Sequence, residues 1–233
     1  MSMEPKDPAA AAAKLRDTKV WVFDLDNTLY PASSRLFDQV DWNMTRYVAE
    51  LLDIDQVEAR RLQKDYFRSF GTTMRGLMTV HGIDPAAFMD YVHNIDVTGL
   101  AVDSLMIEAL AALPGRKVIY TNGSKGHADN ITRHLGIDGY FEGCFDIIDA
   151  AYTPKPALEP YRAMCDAFGI DPAEAVMVED MAKNLVPAAE LGMTTVWVDT
   201  GADWSRDQSD YGHIHHRTDA LSAWLAEMAG ISR

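Results

Sequence analysis

The chain alternates between short, almost wholly apolar runs and longer stretches with helical spacing. The runs are Val20 to Phe23, Val118 to Thr121, Phe145 to Ile148, Val176 to Val178 and Thr194 to Val198. Their β-branched and aromatic content predicts buried strands. Helical patterns separate most of them, among them Leu158 to Gly169 and Asn184 to Gly192, each ending at a glycine. This order predicts an α/β fold, a doubly wound parallel sheet with right-handed crossovers. The interval after the first run breaks the rhythm. Phe37, Val40, Met44, Tyr47, Val48, Leu51 and Leu52 recur at helix spacing, Val57 to Phe70 is charged along one face, and Pro85 to His93 forms a third helix. One crossover cannot hold all of them. We expect an inserted α-helical cap over 36–100 on a core built from 17–35 and 101–233. Beyond Asp199 the text turns polar and loses its period, until Asp219 to Met228 predicts a closing helix. Residues 1–16, with the alanine run Ala9 to Ala13, are expected to be a flexible tail.

Composition narrows the partners. With 35 acidic against 21 basic residues the formal charge is −14, a surface that repels nucleic acid polymers and anionic membranes. A small phosphorylated metabolite can still bind where local cations reverse the field. No run approaches the roughly eighteen apolar residues of a membrane span, and the start lacks the basic and apolar regions of a signal peptide. Cys144 and Cys165 have no metal-type spacing and are expected to be free thiols. These features together predict a cytoplasmic protein, and they leave its oligomeric state open.

Chemistry enters where the first run stops at Asp24-Leu25-Asp26-Asn27-Thr28. The carboxyl ends of strands are where open α/β sheets place their sites. If the strand persists to Asp26, both carboxylates share a face. Like charges that close need a cation or a shared proton, so the pair asks for a divalent metal. Three further elements follow in order: Thr121-Asn122-Gly123 closing the second run, Lys155 between Pro154 and Pro156, and Glu179-Asp180 closing the run from Val176.

This set resembles the haloacid dehalogenase-like hydrolases, whose four motifs it matches in order. The resemblance implies a Rossmann-like core and a phosphomonoesterase working through an aspartyl-phosphate. Asp24 would be the nucleophile, and Asp26 the acid and base that serves the leaving oxygen and then water. Dehalogenating members lack the second aspartate, so Asp26 argues for phosphoryl chemistry. Mg2+ is the implied cofactor, with Asp24, the Asp26 carbonyl and Asp180 as ligands. Thr121 and Asn122 would donate to phosphoryl oxygens, and Lys155 would neutralise Asp24 and the phosphate. Glu179 would hold a metal-bound water or orient Lys155. Asn184, at a place often acidic in the family, would position a ligand water or cap a helix.

The segment from Asp65 to Ile83 is similar to the cap of pyrimidine 5′-nucleotidases, which implies pyrimidine nucleoside monophosphates as substrates. Tyr66 and Phe70 are then candidates to stack a base, and Arg75 and His81 to reach a carbonyl or the phosphate. Packing within the cap is the competing role for the aromatics. A sugar-phosphate or phosphoglycolate-type phosphatase, a phosphomutase on the same core, and a non-catalytic regulatory member remain as alternatives.

Overall fold

In the computed structural model, which describes Leu15, residues 18–209 and residues 212–231, the apolar runs pair into one sheet. The expected tail over 1–16 lies outside the described residues apart from Leu15. Six parallel strands take the order β3-β2-β1-β4-β5-β6. They are β1 (Val20–Phe23), β2 (Arg116–Tyr120), β3 (Gly143–Phe145), β4 (Ala175–Glu179), β5 (Thr194–Val198) and β6 (His216–Thr218). Val22 lies opposite Val118 on one side and Met177 on the other, so β1 is central and buried on both faces.

Five α-helices come between β1 and β2, of which the first four pack on one another: α1 (Leu36–Leu52), α2 (Gln56–Phe70), α3 (Thr73–His81) and α4 (Pro85–Val92). Local chemistry sets their starts. Asp55 accepts from the Val57 and Glu58 amides, Thr72 from Arg75, and Asp84 from Ala86, with Pro85 in the first turn. Then follow α5 (Ser104–Ala112), α6 (Lys125–Leu135), α7 (Leu158–Phe168), α8 (Leu185–Glu190) and α9 (Leu221–Met228).

Strand alternation divides the core in two. Val22, Val118, Tyr120 and Met177 pack with Tyr161 and Met164 of α7, Leu185 of α8 and apolar residues of α1–α4. Trp21, Phe23, Ile119, Val176 and Val196 pack with Leu110 of α5, Ile131 of α6 and Leu225 of α9. Helices cover both faces, so the sheet is doubly wound. Its chain order reverses between β1 and β4, and that switch point opens a crevice at the strands' carboxyl ends.

Three elements differ from expectation. The third strand ends at Phe145 rather than running to Ile148, because the Asp146 carboxylate takes the amides of Ile148 and Asp149 and turns the chain. β6, a three-residue polar edge strand, falls where the sequence shows no period. Helix α3, between α2 and α4, is one more helix than the three expected over 36–100. Its Gly76 hides it in the sequence, yet a Cβ there would lie 2.5 Å from Tyr66 Cβ, so glycine is what lets α3 approach α2. No described helix is long and apolar enough to cross a membrane.

Candidate active site

Strand β1 ends one residue before Asp24, whose amide still donates to the Val178 carbonyl at 2.9 Å. The chain then folds back. The amides of Thr28 and Leu29 both reach the Leu25 carbonyl, and Asn27 takes φ 60°, a left-handed conformation that asparagine tolerates. The strand therefore does not persist to Asp26, and the two carboxylates part. The turn brings the Thr28 hydroxyl to Asp24 Oδ2 at 3.2 Å and the Tyr30 hydroxyl to Asp26 Oδ1 at 2.6 Å.

Asp24 faces inward onto Lys155. The ammonium donates to Asp24 Oδ1 (2.6 Å), Glu179 Oε1 (2.8 Å) and the Tyr120 carbonyl (3.1 Å), and only 3% of Lys155 is exposed. Its backbone amide donates to Asn122 Oδ1 at 2.9 Å, which ties the Lys155 loop to the end of β2. Glu179 Oε1 also accepts from the Asn184 side-chain amide at 2.6 Å, and Oε2 accepts from the Met181 amide at 2.7 Å. Asn184 precedes α8 but makes no side-chain cap there. The Thr121 hydroxyl accepts from the Gly123 amide, holding the loop after β2 closed.

Asp24, Glu179 and Asp180 place carboxylate oxygens within 4.8 Å of one another, all buried. Asp26 is absent from that side-chain cluster. Three carboxylates face one ammonium, and the electrostatics reflect the excess. Burial pushes Asp24 up to about 7 against the pull of Lys155. Burial, then the charges of Glu179 and Asp24, drive Asp180 well above the usual range. Burial works against Glu179 as well, yet Lys155 and its hydrogen bonds hold it below its usual value. A nest of hard, desolvated oxygens with too little positive charge fits a divalent cation such as Mg2+.

A stability test follows. The folded Asp24 carboxyl binds its proton more tightly than in the unfolded chain, so this group's contribution falls as pH rises from about 4 to about 7. With metal chelated, the protein should lose on the order of a few kcal/mol between about pH 5 and pH 8. Added Mg2+ at pH 8 should recover much of it by binding the folded state. Thermal denaturation with EDTA and with Mg2+ measures both. No Mg2+ effect at pH 8 would remove these carboxylates as a metal site.

Each of the four residues singled out between Asp65 and Ile83 has a partner within the fold. Tyr66 is buried and its hydroxyl meets His81 Nε2 at 2.6 Å, while Phe70 packs edge-on against the Tyr66 ring. Arg75 donates to the Tyr152 carbonyl (2.9 Å) and to Thr153 Oγ1 (3.2 Å), on the loop that leads into Lys155. Three residues beside Asp26 escaped the sequence reading. Tyr30 is one; His127, whose Nε2 sits 2.8 Å from Asp26 Oδ1, is the second. His93 is the third, its ring stacked on that of His127 at 4.1 Å. A signal existed for His127, since it lies in the first turn of the helix that follows Thr121.

Comparison with known proteins shows the family and the fold. The chain is 28% identical to phosphate metabolism protein 8 of Saccharomyces cerevisiae, over 75% of its own length and 60% of that protein's. It is 25% identical to a phosphoglycolate phosphatase of Rhodospirillum rubrum, over 78% and 80% of the two chains. A HAD phosphatase from Thermococcus onnurineus shares the fold with a TM-score of 0.63 at 19% identity, covering 92% of this chain and 99% of that one. An L-2-haloacid dehalogenase from Xanthobacter autotrophicus does so with a TM-score of 0.58 at 17% identity, covering 92% and 100%. The family model of the haloacid dehalogenase-like hydrolases matches residues 18–192, and the chain belongs to that family.

Proposed function

We propose that this hydrolase is a Mg2+-dependent phosphomonoesterase working through an aspartyl-phosphate. The observation that carries the reading is the division of labour between two neighbouring carboxylates. Asp24 is buried against Lys155, whereas Asp26 is held apart by Tyr30 and His127. In this reading Asp24 serves as the nucleophile and Asp26 as the proton carrier. An Asp24 oxygen bonds to phosphorus as the ester P–O bond breaks, and Asp26 gives its proton to the leaving oxygen. Asp26 then takes a proton from water, whose oxygen displaces Asp24 and releases phosphate. Lys155, Thr121 and Asn122 face charge on the phosphoryl oxygens. Asp24, Asp180 and the Asp26 carbonyl would hold the cation, with Glu179 and Asn184 around them. When bound, it supplies positive charge that offsets the phosphoryl group and the carboxylates.

The division into core (17–35 and 101–233) and cap (36–100) belongs to the same reading, with the cap meeting the leaving group. Pyrimidine nucleoside 5′-monophosphates are the proposed substrates, supported by the likeness of the Asp65 to Ile83 segment to nucleotidase caps. A phosphoglycolate-type substrate is the second reading, favoured by the name of the Rhodospirillum relative. The test is phosphate release from p-nitrophenyl phosphate with Mg2+ and with EDTA, followed by UMP, CMP, sugar phosphates and phosphoglycolate. Hydrolysis should need Mg2+ and be fastest, by kcat/KM, on UMP or CMP. No Mg2+-dependent hydrolysis of any ester would end the phosphatase reading; a preference for phosphoglycolate would transfer it to the second.

A further inference from the structure

Asp26 has two oxygens, and the structure treats them unequally. Oδ1 receives the Tyr30 hydroxyl at 2.6 Å and meets His127 Nε2 at 2.8 Å. Among the described residues no hydrogen bond falls on Oδ2. The tautomer of His127 follows from its other nitrogen. Nδ1 is buried without a hydrogen-bond partner, so a hydrogen there would be stranded, whereas one on Nε2 points at a carboxylate oxygen.

The ring is also fixed in place. His127 is 2% exposed, and its backbone amide donates to Ser124 Oγ at 3.3 Å. His93, the residue after α4, lies flat against it with 13° between the rings, and His93 Nδ1 meets the same Ser124 Oγ at 3.0 Å. Gly123 makes room on the site side. A Cβ there would lie 3.2 Å from His127 Cδ2, 3.2 Å from Thr121 Oγ1 and 3.7 Å from His93 Nε2.

We infer that His127, backed by His93, is a positioning residue for Asp26: it and Tyr30 hold Oδ1, so that Oδ2 is the oxygen left to meet the leaving oxygen. This rests on the phosphatase reading and adds to it the choice of oxygen and the residues that make it. With Oδ1 saturated by two donors, the carboxyl cannot turn over without losing both. His93 extends the device to the insert, because the segment returning from α4 supplies the ring that keeps His127 in plane.

A poorly placed Asp26 slows the water step for every ester, but kcat/KM reports only the steps up to release of the leaving group, and there it harms only esters whose leaving oxygen needs a proton. Phenyl phosphate and p-nitrophenyl phosphate share a shape, but the nitrophenolate leaves readily without one. His127→Leu should lower kcat/KM on phenyl phosphate by about 10- to 100-fold, within the range of general acid catalysis, and on p-nitrophenyl phosphate by less than about threefold. His127→Gln, whose amide can still donate to Oδ1, should return phenyl phosphate to within about fivefold of wild type. Should the leucine variant fail to fold, His127→Asn, too short to reach Asp26, takes its place. Equal losses on the two esters, or a glutamine variant no better than leucine or asparagine, would reduce His127 to a packing role and overturn the inference. A wild-type protein inactive on both esters would instead remove the phosphatase reading, and this inference with it.

Discussion

Asp24→Asn should lower phosphate release by at least about 10⁴-fold while leaving the protein folded, the scale seen when a nucleophile is removed. An amide oxygen is too weak a nucleophile to displace the leaving group. The fold tolerates the change because the amide is nearly the same size: its oxygen still accepts from Lys155, and its NH2, at the other position, donates to the Thr28 hydroxyl oxygen. Stability should move in the opposite direction to activity. Asp24 is a buried carboxyl pushed up to about 7, so with metal chelated at pH 8 its charge is a liability that the amide lacks. The variant should therefore melt higher than wild type in EDTA at pH 8 and gain less from Mg2+. Single-turnover kinetics and thermal denaturation on one preparation measure both. Turnover within tenfold of wild type would remove Asp24 as the nucleophile.

Strands β1 and β5 were legible because nothing in them contradicts a buried strand: every residue is apolar or β-branched, and every one is buried. β3 was misplaced for a physical reason. Phe145, Ile147 and Ile148 read as one apolar run, but the Asp146 side chain competes for the backbone amides and bends the chain. β6 depends on pairing with β5 rather than on its own composition, so His216-Arg217-Thr218 carries no local signal.

The candidate site divides in the same way. Asp24, Thr121, Glu179 and Asp180 interrupt or close apolar runs, which makes polar residues conspicuous at strand ends. Lys155 stood out only through its prolines and its place in the motif order. His127 is separated from Asp26 by 101 positions, and His93 meets it only through the insert. Beyond the place of His127 in the first turn after Thr121, a histidine among polar helical neighbours has no pattern that betrays burial; tertiary packing decides it. Packing also decides the partners of Tyr66, His81 and Arg75, which bond to one another or to the Lys155 loop.

That loop leads to the second large effect. Lys155→Met keeps most of the side-chain volume but removes the ammonium, leaving Asp24, Glu179 and Asp180 to face one another. Removing one partner of a buried ion pair typically costs about 3–5 kcal/mol, more than the pair itself contributes, because the remaining charges stay desolvated. The sign of the pH dependence follows. Without Lys155 the folded-state values of Asp24 and Glu179 rise, and a raised carboxyl loses stability as pH climbs through its folded value. In wild type, burial acts against the Lys155 ammonium, but the two carboxylates hold its value well above the usual range, so it stays charged throughout pH 5 to 8. The deficit of Lys155→Met should accordingly be small near pH 5 and approach its full size near pH 8. Mg2+ should narrow it at pH 8 by supplying charge to the same oxygens. Activity should fall by roughly 10²- to 10³-fold even with Mg2+ saturating, the size expected for losing one fixed charge at the phosphoryl group. Denaturant titrations at the two pH values settle the stability half. A deficit equal at pH 5 and pH 8 would mean that the ammonium is held for packing, and that the carboxylates do not depend on it.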